Sequence, residues 1–240
     1  QYSWNTHRAH ERFAMCSTFK WLLAAAILHN VQGGSLTSDQ RIAYAAADLP
    51  PNSPRTRENL IRGWMSVDEL CGAAVKVSDN GAANLLLARL GGPAGLTAFL
   101  RANGDSVTRL DRLEPILNEN QPGDERDTTT PHAMAQTLQR FLIADAVLNA
   151  TSREKLIGWM IAASTGLTRL RAGLPSTWRV GDKTGTSDGD HNATNDVAIA
   201  WPPGRAPIVI ASYLSDTQLP YEQRGAVHAD IARVVAEVWS

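Results

Sequence analysis

At 240 residues the chain can bury a sizeable core, as one large domain or as two closely packed lobes. Its 23 Lys and Arg nearly balance 24 Asp and Glu, which gives no electrostatic reason to expect nucleic acid or an anionic membrane as a partner. No apolar run is long enough to span a bilayer, and none follows a basic stretch at the start, so an export signal is expected to have been removed or never to have been present.

In chain order, residues 2–4 and 12–14 read as strands or strand ends around a polar stretch. Helical character begins near Ser17. Phe19, Trp21, Leu22, Leu23, the three alanines 24–26, Ile27 and Leu28 are apolar nearly all round, which predicts a central buried helix stopped by Gly33-Gly34. Residues 50–54 read as a rigid proline loop. Ser66 is placed to N-cap a helix running to Val77, with Glu69 completing a capping box. A second, alanine- and leucine-rich helix follows over residues 81–89, ended by Gly91-Gly92-Pro93.

Residues 109–127 are charged, hold Pro115 and Pro122, and show neither strand nor helix periodicity. They predict a long loop, and long structureless loops in compact domains tend to be functional. Helical patterns resume over 131–163, and residues 178–180, 196–201 and 208–214 are strand-like, separated by Gly and Pro turns. An amphipathic helix over 221–239 closes the chain. Helices in the middle and strands towards both ends predict an α/β fold of the α+β type. The expected division is an all-α lobe (15–168, with loop 109–127) inserted into an α/β lobe (1–14 plus 169–240) whose antiparallel sheet is flanked by helices.

Three short motifs carry chemistry. Ser17-Thr18-Phe19-Lys20 sets a hydroxyl and an amine at i and i+3, neighbours on one helical face. Serine is a weak nucleophile until a base takes its proton, and a desolvated lysine can do so. The motif alone has no diagnostic weight, because Ser152-Arg153-Glu154-Lys155 matches it too. Ser78-Asp79-Asn80 offers a second hydroxyl and a carboxamide but equally fits a helix-linking turn, and Ser3-Trp4-Asn5 fits the looser pattern. Lys183-Thr184-Gly185-Thr186, which follows strand 178–180 and reads as a strand edge or, taken alone, as a plain turn, offers a cation and two hydroxyls, with Gly185 letting a ligand approach the backbone.

Their order and combination resemble the S-x-x-K, S-D-N and K-T-G signature of class A β-lactamases and penicillin-binding proteins. Within that superfamily, Glu114-Pro115-Ile116-Leu117-Asn118 in the long loop resembles the E-x-x-L-N of the class A Ω-loop, a glutamate that penicillin-binding proteins lack. The resemblance runs from about Glu11 to the C-terminus. It implies a serine β-lactamase in which Ser17 attacks the lactam carbonyl, Lys20, Ser78 and Lys183 move protons, and Glu114 activates the water that cuts the ester. It further implies an oxyanion hole from the backbone N–H groups of Ser17 and Thr186. Substrate contacts are implied at Asn80, Asn118, Thr184, Gly185 and Thr186, with a cis Glu114-Pro115 peptide and an Arg112–Asp127 pair at the loop neck. No cofactor beyond the hydrolytic water is implied. The expected substrate is a small-molecule β-lactam, handled by a monomer in the periplasm or outside the cell. Whether Lys20 or Glu114 is the acylation base stays open. The rivals are a D-alanyl-D-alanine peptidase and a penicillin-sensing receptor domain.

The chain also departs from the family pattern. An N-terminal helix and outer strand that the family normally carries before the serine are not found, which is expected to leave a truncated or fragmentary chain. The family's disulfide sites correspond to Ala24 and Ser187, so Cys16 and Cys71 are expected to be free. Asn52 stands where an aromatic gatekeeper is usual, and Arg169 is the candidate cation for the substrate carboxylate. The turn 187–193 is longer than common. It holds Asp188, Asp190 and His191, which are read as a solvated turn rather than a metal site.

Overall fold

Helix α1 (Phe19–Gln32), the hub of the computed structural model, is buried at every residue from 19 to 28, as its all-round apolar sequence requires. The structure describes residues 4–239, so the strand expected at 2–4 lies largely outside the described residues, and Trp4 itself is not in a strand. A short strand β1 (Phe13–Ala14) and a 3-10 turn (Cys16–Thr18) lead into α1. Around it pack α3 (Val67–Lys76), α4 (Asn80–Arg89), α5 (Gly92–Ala102), α6 (Pro131–Leu142) and α7 (Ala150–Ile161). The capping box of α3 forms as its sequence dictates: Ser66 Oγ accepts from Glu69 N at 3.1 Å, and Glu69 Oε2 accepts from Ser66 N at 2.7 Å.

Two small ribbons form as well, and of their strands only β1, expected at 12–14, is visible in the sequence. β2 (Arg41–Ala43) pairs antiparallel with β3 (Trp64–Ser66), and β4 (Thr128–Thr129) pairs with β1. Strands of two or three residues are too short to show a period. What holds the first ribbon is local: the guanidinium groups of Arg41 and Arg62 lie 4.1 and 4.3 Å from the ring centre of Trp64. The helix α2 (Pro54–Glu58) begins at the last proline of the rigid loop.

The C-terminal part forms an antiparallel sheet in the order β5 (Arg179–Ser187), β6 (Ala193–Trp201), β7 (Ile208–Ser215). The short α8 (Leu170–Gly173) and the closing helix α9 (Tyr221–Trp239) cover one face, with Leu170, Ala198, Ala200 and Ala232 in their shared core. Val197 and Ile199 of β6 join the main core on the other face. Lys183-Thr184-Gly185-Thr186 lies inside β5, in line with the strand-edge reading and not the plain turn. The glycine that suggests a turn is required by packing, since a Cβ on Gly185 would sit 2.5 Å from the Met15 carbonyl oxygen. β5 is thereby pressed against the turn that carries Ser17.

His228 of α9 is fully buried between β6 and β7, with Nε2 2.9 Å from Thr194 O and Nδ1 2.8 Å from Ser212 Oγ. The carbonyl can only accept, so Nε2 carries the proton and Nδ1 accepts from the hydroxyl. Burial and then the charge of Arg169 hold its pKa down to about 4, against 6.5 for a free histidine. Between those two values the unfolded chain binds a proton that the folded chain refuses, so stability falls as pH drops through this window. The expected loss is on the order of 3 kcal/mol by about pH 4. Comparing thermal melts of the wild type and His228→Gln from about pH 7 to pH 4 checks this, and the variant should lose that share of the pH dependence.

Candidate active site

A cleft of about 650 Å³ opens where β5 faces the 3-10 turn, the start of α4 and the long loop. Ser17, Asn52, Ser78, Asn80, Asn118, Arg169, Thr184, Gly185 and Thr186 line it, so the residues singled out from the sequence converge on one place. Lys20, Glu114 and Lys183 form its buried floor. Cys16, Asn52 and Ser78 adopt left-handed φ angles of 47°, 57° and 58°, a strain of about 1–3 kcal/mol each that clusters around the cleft.

Lys20 is the hub of the floor. Its Nζ donates to Ser17 Oγ at 3.0 Å, Ser78 O at 2.8 Å, Ser78 Oγ at 3.2 Å and Asn80 Oδ1 at 2.5 Å, and it pairs with Glu114 Oε1 at 2.9 Å. Five acceptors thus crowd a group with at most three protons. Burial pushes the Lys20 pKa below the usual lysine range, while the Glu114 carboxylate opposes that shift. Lys183 reaches Ser78 Oγ at 3.1 Å from the opposite side. Burial, then the charge of Lys20, brings its pKa down to about 7, where it exchanges a proton readily near neutrality. Ser78 Oγ is therefore bracketed by two amines, the geometry of a proton relay.

Glu114 stands 3.1 Å from Ser17 Oγ through Oε1 and takes 2.6 Å from Asn118 Nδ2 through Oε2. The Glu114-Pro115 peptide is cis. A residue that the sequence reading missed fixes its backbone: Asn84 donates to Glu114 O at 2.9 Å and accepts from Glu114 N at 3.0 Å. Asn84 lies one helical turn beyond Asn80, and that i,i+4 spacing on one face was the available signal. Asp79, named only as the middle of its motif, is buried and caps α4 through Ala82 N at 2.8 Å. It also accepts from Arg55 N at 2.8 Å and Thr56 N at 2.9 Å, which ties the loop carrying Asn52 to α4. Tyr221 and Arg57 line the cleft as well, and the sequence offered no cue for either.

The long loop is clamped at its neck as expected. Arg112 Nε donates to Asp127 Oδ2 at 2.5 Å, and Asp127 Oδ1 accepts from the backbone N–H groups of Asp111 and Arg112 at 2.7 and 3.0 Å. Asp127 O in turn accepts from Met15 N at 2.9 Å, so the clamp is joined to the turn bearing Ser17. The side chains are 12% and 0% exposed, which makes this a buried pair rather than a surface one. Arg112→Ala leaves the carboxylate with two N–H donors and no counter-charge. It should cost about 3 kcal/mol, the low end for breaking a buried pair. Urea unfolding checks the value, and activity should fall with it because the loop carries Glu114.

Thr184 Oγ1 donates to Thr165 Oγ1 at 2.7 Å. Arg169 is only 6% exposed, and its N–H groups serve Gly185 O at 3.0 Å, Asn195 O at 2.6 Å and Thr186 Oγ1 at 2.7 Å. It lines the cleft beside Thr186. Because Arg can only donate, the Thr186 hydroxyl accepts from it and keeps its own proton for a ligand. Both cysteines are free and buried. In the turn after β5, His191 Nδ1 lies 2.8 Å from Asp216 Oδ1, and among the described residues no three His, Cys, Asp or Glu are grouped to hold a metal.

Comparison with known proteins places this arrangement. A family model described as the beta-lactamase enzyme family matches residues 3–239. Beta-lactamase AST-1 of Nocardia asteroides is 50% identical over 231 residues, covering 96% of this chain and 73% of that protein. A carbapenem-hydrolyzing beta-lactamase, KPC, of Klebsiella oxytoca is 47% identical over 97% of this chain and 78% of its own length. Among solved structures, an ancestral class A β-lactamase superposes with a TM-score of 0.94 at 57% identity, covering 97% of this chain and 88% of that one. The fold and cleft define a hydrolase of the β-lactamase type, and the chain belongs to the class A β-lactamases. It hydrolyses β-lactams.

Proposed function

We propose that the chain opens β-lactams through an acyl-enzyme on Ser17 and hydrolyses it with a water activated by Glu114. The observation that carries this reading is the closed triangle of Ser17 Oγ, Lys20 Nζ and Glu114 Oε1, with sides of 2.9–3.1 Å. Ser17 Oγ attacks the lactam carbonyl as its proton enters the Lys20–Glu114 pair, both members of which stand at hydrogen-bond distance. The oxyanion is held by the N–H groups of Ser17 and Thr186, a device worth about 3 kcal/mol per donor in other enzymes. Thr186 is suited to this because β5 is an edge strand beside the Ser17 turn.

Ser78, bracketed by Lys20 and Lys183, passes a proton to the leaving lactam nitrogen. Asn80 and Asn52 lie where the substrate's side chain enters, and Thr184, Gly185 and Thr186 line the side that takes its carboxylate, with Lys183 as the cation and Arg169 acting through Thr186. Glu114 and Asn118 then hold the hydrolytic water, and Glu114 takes its proton. The cleft is proposed to lie between a helical lobe (15–168) and an α/β lobe (1–14 plus 169–240), in a monomer working in the periplasm or outside the cell without metal or organic cofactor. Among the described residues no helix is long and apolar enough to cross a membrane.

Mixing the protein with a large excess of nitrocefin tests the reading. Sustained hydrolysis over many equivalents supports it. A single stoichiometric burst would instead identify a penicillin-binding or penicillin-sensing protein.

A further inference from the structure

Beneath β5, on the face away from Lys183, lies a buried charge cluster that the chemistry above does not use. Strand alternation puts Asp182, Thr184 and Thr186 on one face and Lys183 on the other. The register sets Thr184 opposite Asp196 and Asp182 opposite Ala198, which makes Asp182 and Asp196 diagonal neighbours on the same face. Both are fully buried. Asp182 Oδ1 accepts from Arg171, and Asp196 Oδ2 accepts from Leu170 N at 3.0 Å. The remaining oxygens, Asp182 Oδ2 and Asp196 Oδ1, are buried without a hydrogen-bond donor. Gly166 is packed so tightly over the first that a Cβ there would lie 1.5 Å from it. Two carboxylates ionised side by side in so dry a layer would repel strongly, and one proton held between them relieves both the repulsion and the missing donors.

The other charged and titratable groups around the pair come from each packed element. Arg169 and Arg171 come from the segment around α8, Lys183 from β5, Tyr213 from β7 and His228 from α9. Burial raises the pKa of both carboxyl groups, and for Asp196 the charge of Asp182 adds to it. His228 is neutral, and burial holds the Tyr213 phenol in its protonated form. With one shared proton, the face beneath Thr184 and Thr186 carries two guanidinium charges against a single negative charge.

We propose that Asp182 and Asp196 share one proton, leaving a net positive charge beneath Thr184 and Thr186 that the carboxylate of the β-lactam neutralises. This rests on the reading of Thr184, Thr186 and Lys183 as the carboxylate site. In alkaline solution the shared proton leaves to solvent, the second negative charge cancels the excess, and the anionic substrate binds more weakly. Asp196 is a positioning residue here, acting through Arg169 and Thr186 rather than on the reacting atoms.

Carbon-13 NMR of enzyme labelled in its aspartate carboxyl groups, with no substrate present, tests the pair alone. One buried carboxyl should report the protonated form at neutral pH, and Asp196→Asn should abolish that signal. A wild-type spectrum with every buried aspartate ionised overturns the proposal, and it decides the matter even if the variant does not fold. For benzylpenicillin, KM of the wild type should rise about tenfold on the alkaline side, the effect of losing one unit of charge at the site, with kcat held. In Asp196→Asn the alkaline rise should be about tenfold smaller than in the wild type, with KM near neutral pH within about twofold of wild type. Lys183, whose pKa is about 7 and responds to Asp196 among other charges, loses its own charge in both enzymes, so the pair is read from the excess alkaline rise of the wild type over the variant. Equal alkaline rises in the two enzymes overturn the proposal. The methyl ester of benzylpenicillin, which lacks the carboxylate, should show no such rise. If the ester binds as well as the acid at neutral pH, the carboxylate reading fails while the NMR result still decides the shared proton.

Discussion

Glu114→Gln is expected to lower steady-state turnover by about 10²- to 10⁴-fold while acylation of Ser17 continues. The substitution removes the group that takes the proton of the hydrolytic water, and an amide cannot replace it. It also removes the charge that opposes the downward shift of the Lys20 pKa. Lys20 should then be neutral more often, and a neutral lysine 3.0 Å from Ser17 Oγ is a competent base for acylation. The carboxamide oxygen can still accept from Asn118 Nδ2, and the Asn84 bonds go to the backbone of residue 114, so the loop should keep its place. Stopped-flow acylation measured beside steady-state turnover separates the two steps. Equal loss of both would mean that Glu114 serves acylation alone, and unimpaired turnover would remove it from the reaction.

Ser17→Ala should be more severe, with kcat reduced by about 10⁶-fold, as for other serine hydrolases that lose the nucleophile. Among the described residues no other hydroxyl stands within hydrogen-bond distance of both Lys20 and Glu114. Ser78 is bracketed by Lys20 and Lys183 but lies outside the triangle that holds Glu114. Lys20 keeps four of its five acceptors in the variant, so the fold should survive and the melting temperature should not drop. A thermal melt alongside the assay distinguishes lost chemistry from lost structure. Substantial residual turnover in a folded Ser17→Ala protein would show that hydrolysis proceeds without the acyl-enzyme.

Much of this site was legible before any coordinates, for a definable reason. Ser17 and Lys20 are tied by helical spacing, Lys183 to Thr186 are contiguous, and Glu114 and Asn118 lie within one short stretch of loop. Local patterns of that kind survive in a one-dimensional reading. The helices α3 and α9 were equally plain, because a capping box and a long amphipathic period are local too. What escaped depends on contacts between distant segments. Asn84 acts on Glu114 across 30 positions, and Asp79 acts on Thr56 across 23. The K-T-G-T segment reads as a strand edge or a plain turn, because what requires its glycine, the Met15 carbonyl, lies on a different element. Arg169 lines the cleft, but its partners are set by distant segments: carbonyls of β5 and β6 take one of its two terminal amino groups and the Thr186 hydroxyl takes the other. Of the two small ribbons only the strand at 12–14 shows in the sequence; β2, β3 and β4 are too short for periodicity to register.

The division of labour between Ser17 and Glu114 is tested most directly by mass spectrometry of Glu114→Gln mixed with benzylpenicillin. The protein should gain the full mass of one penicillin molecule, persistently, and peptide mapping should place the adduct on Ser17. An unmodified protein that still consumes the antibiotic, or an adduct on any other residue, would contradict it.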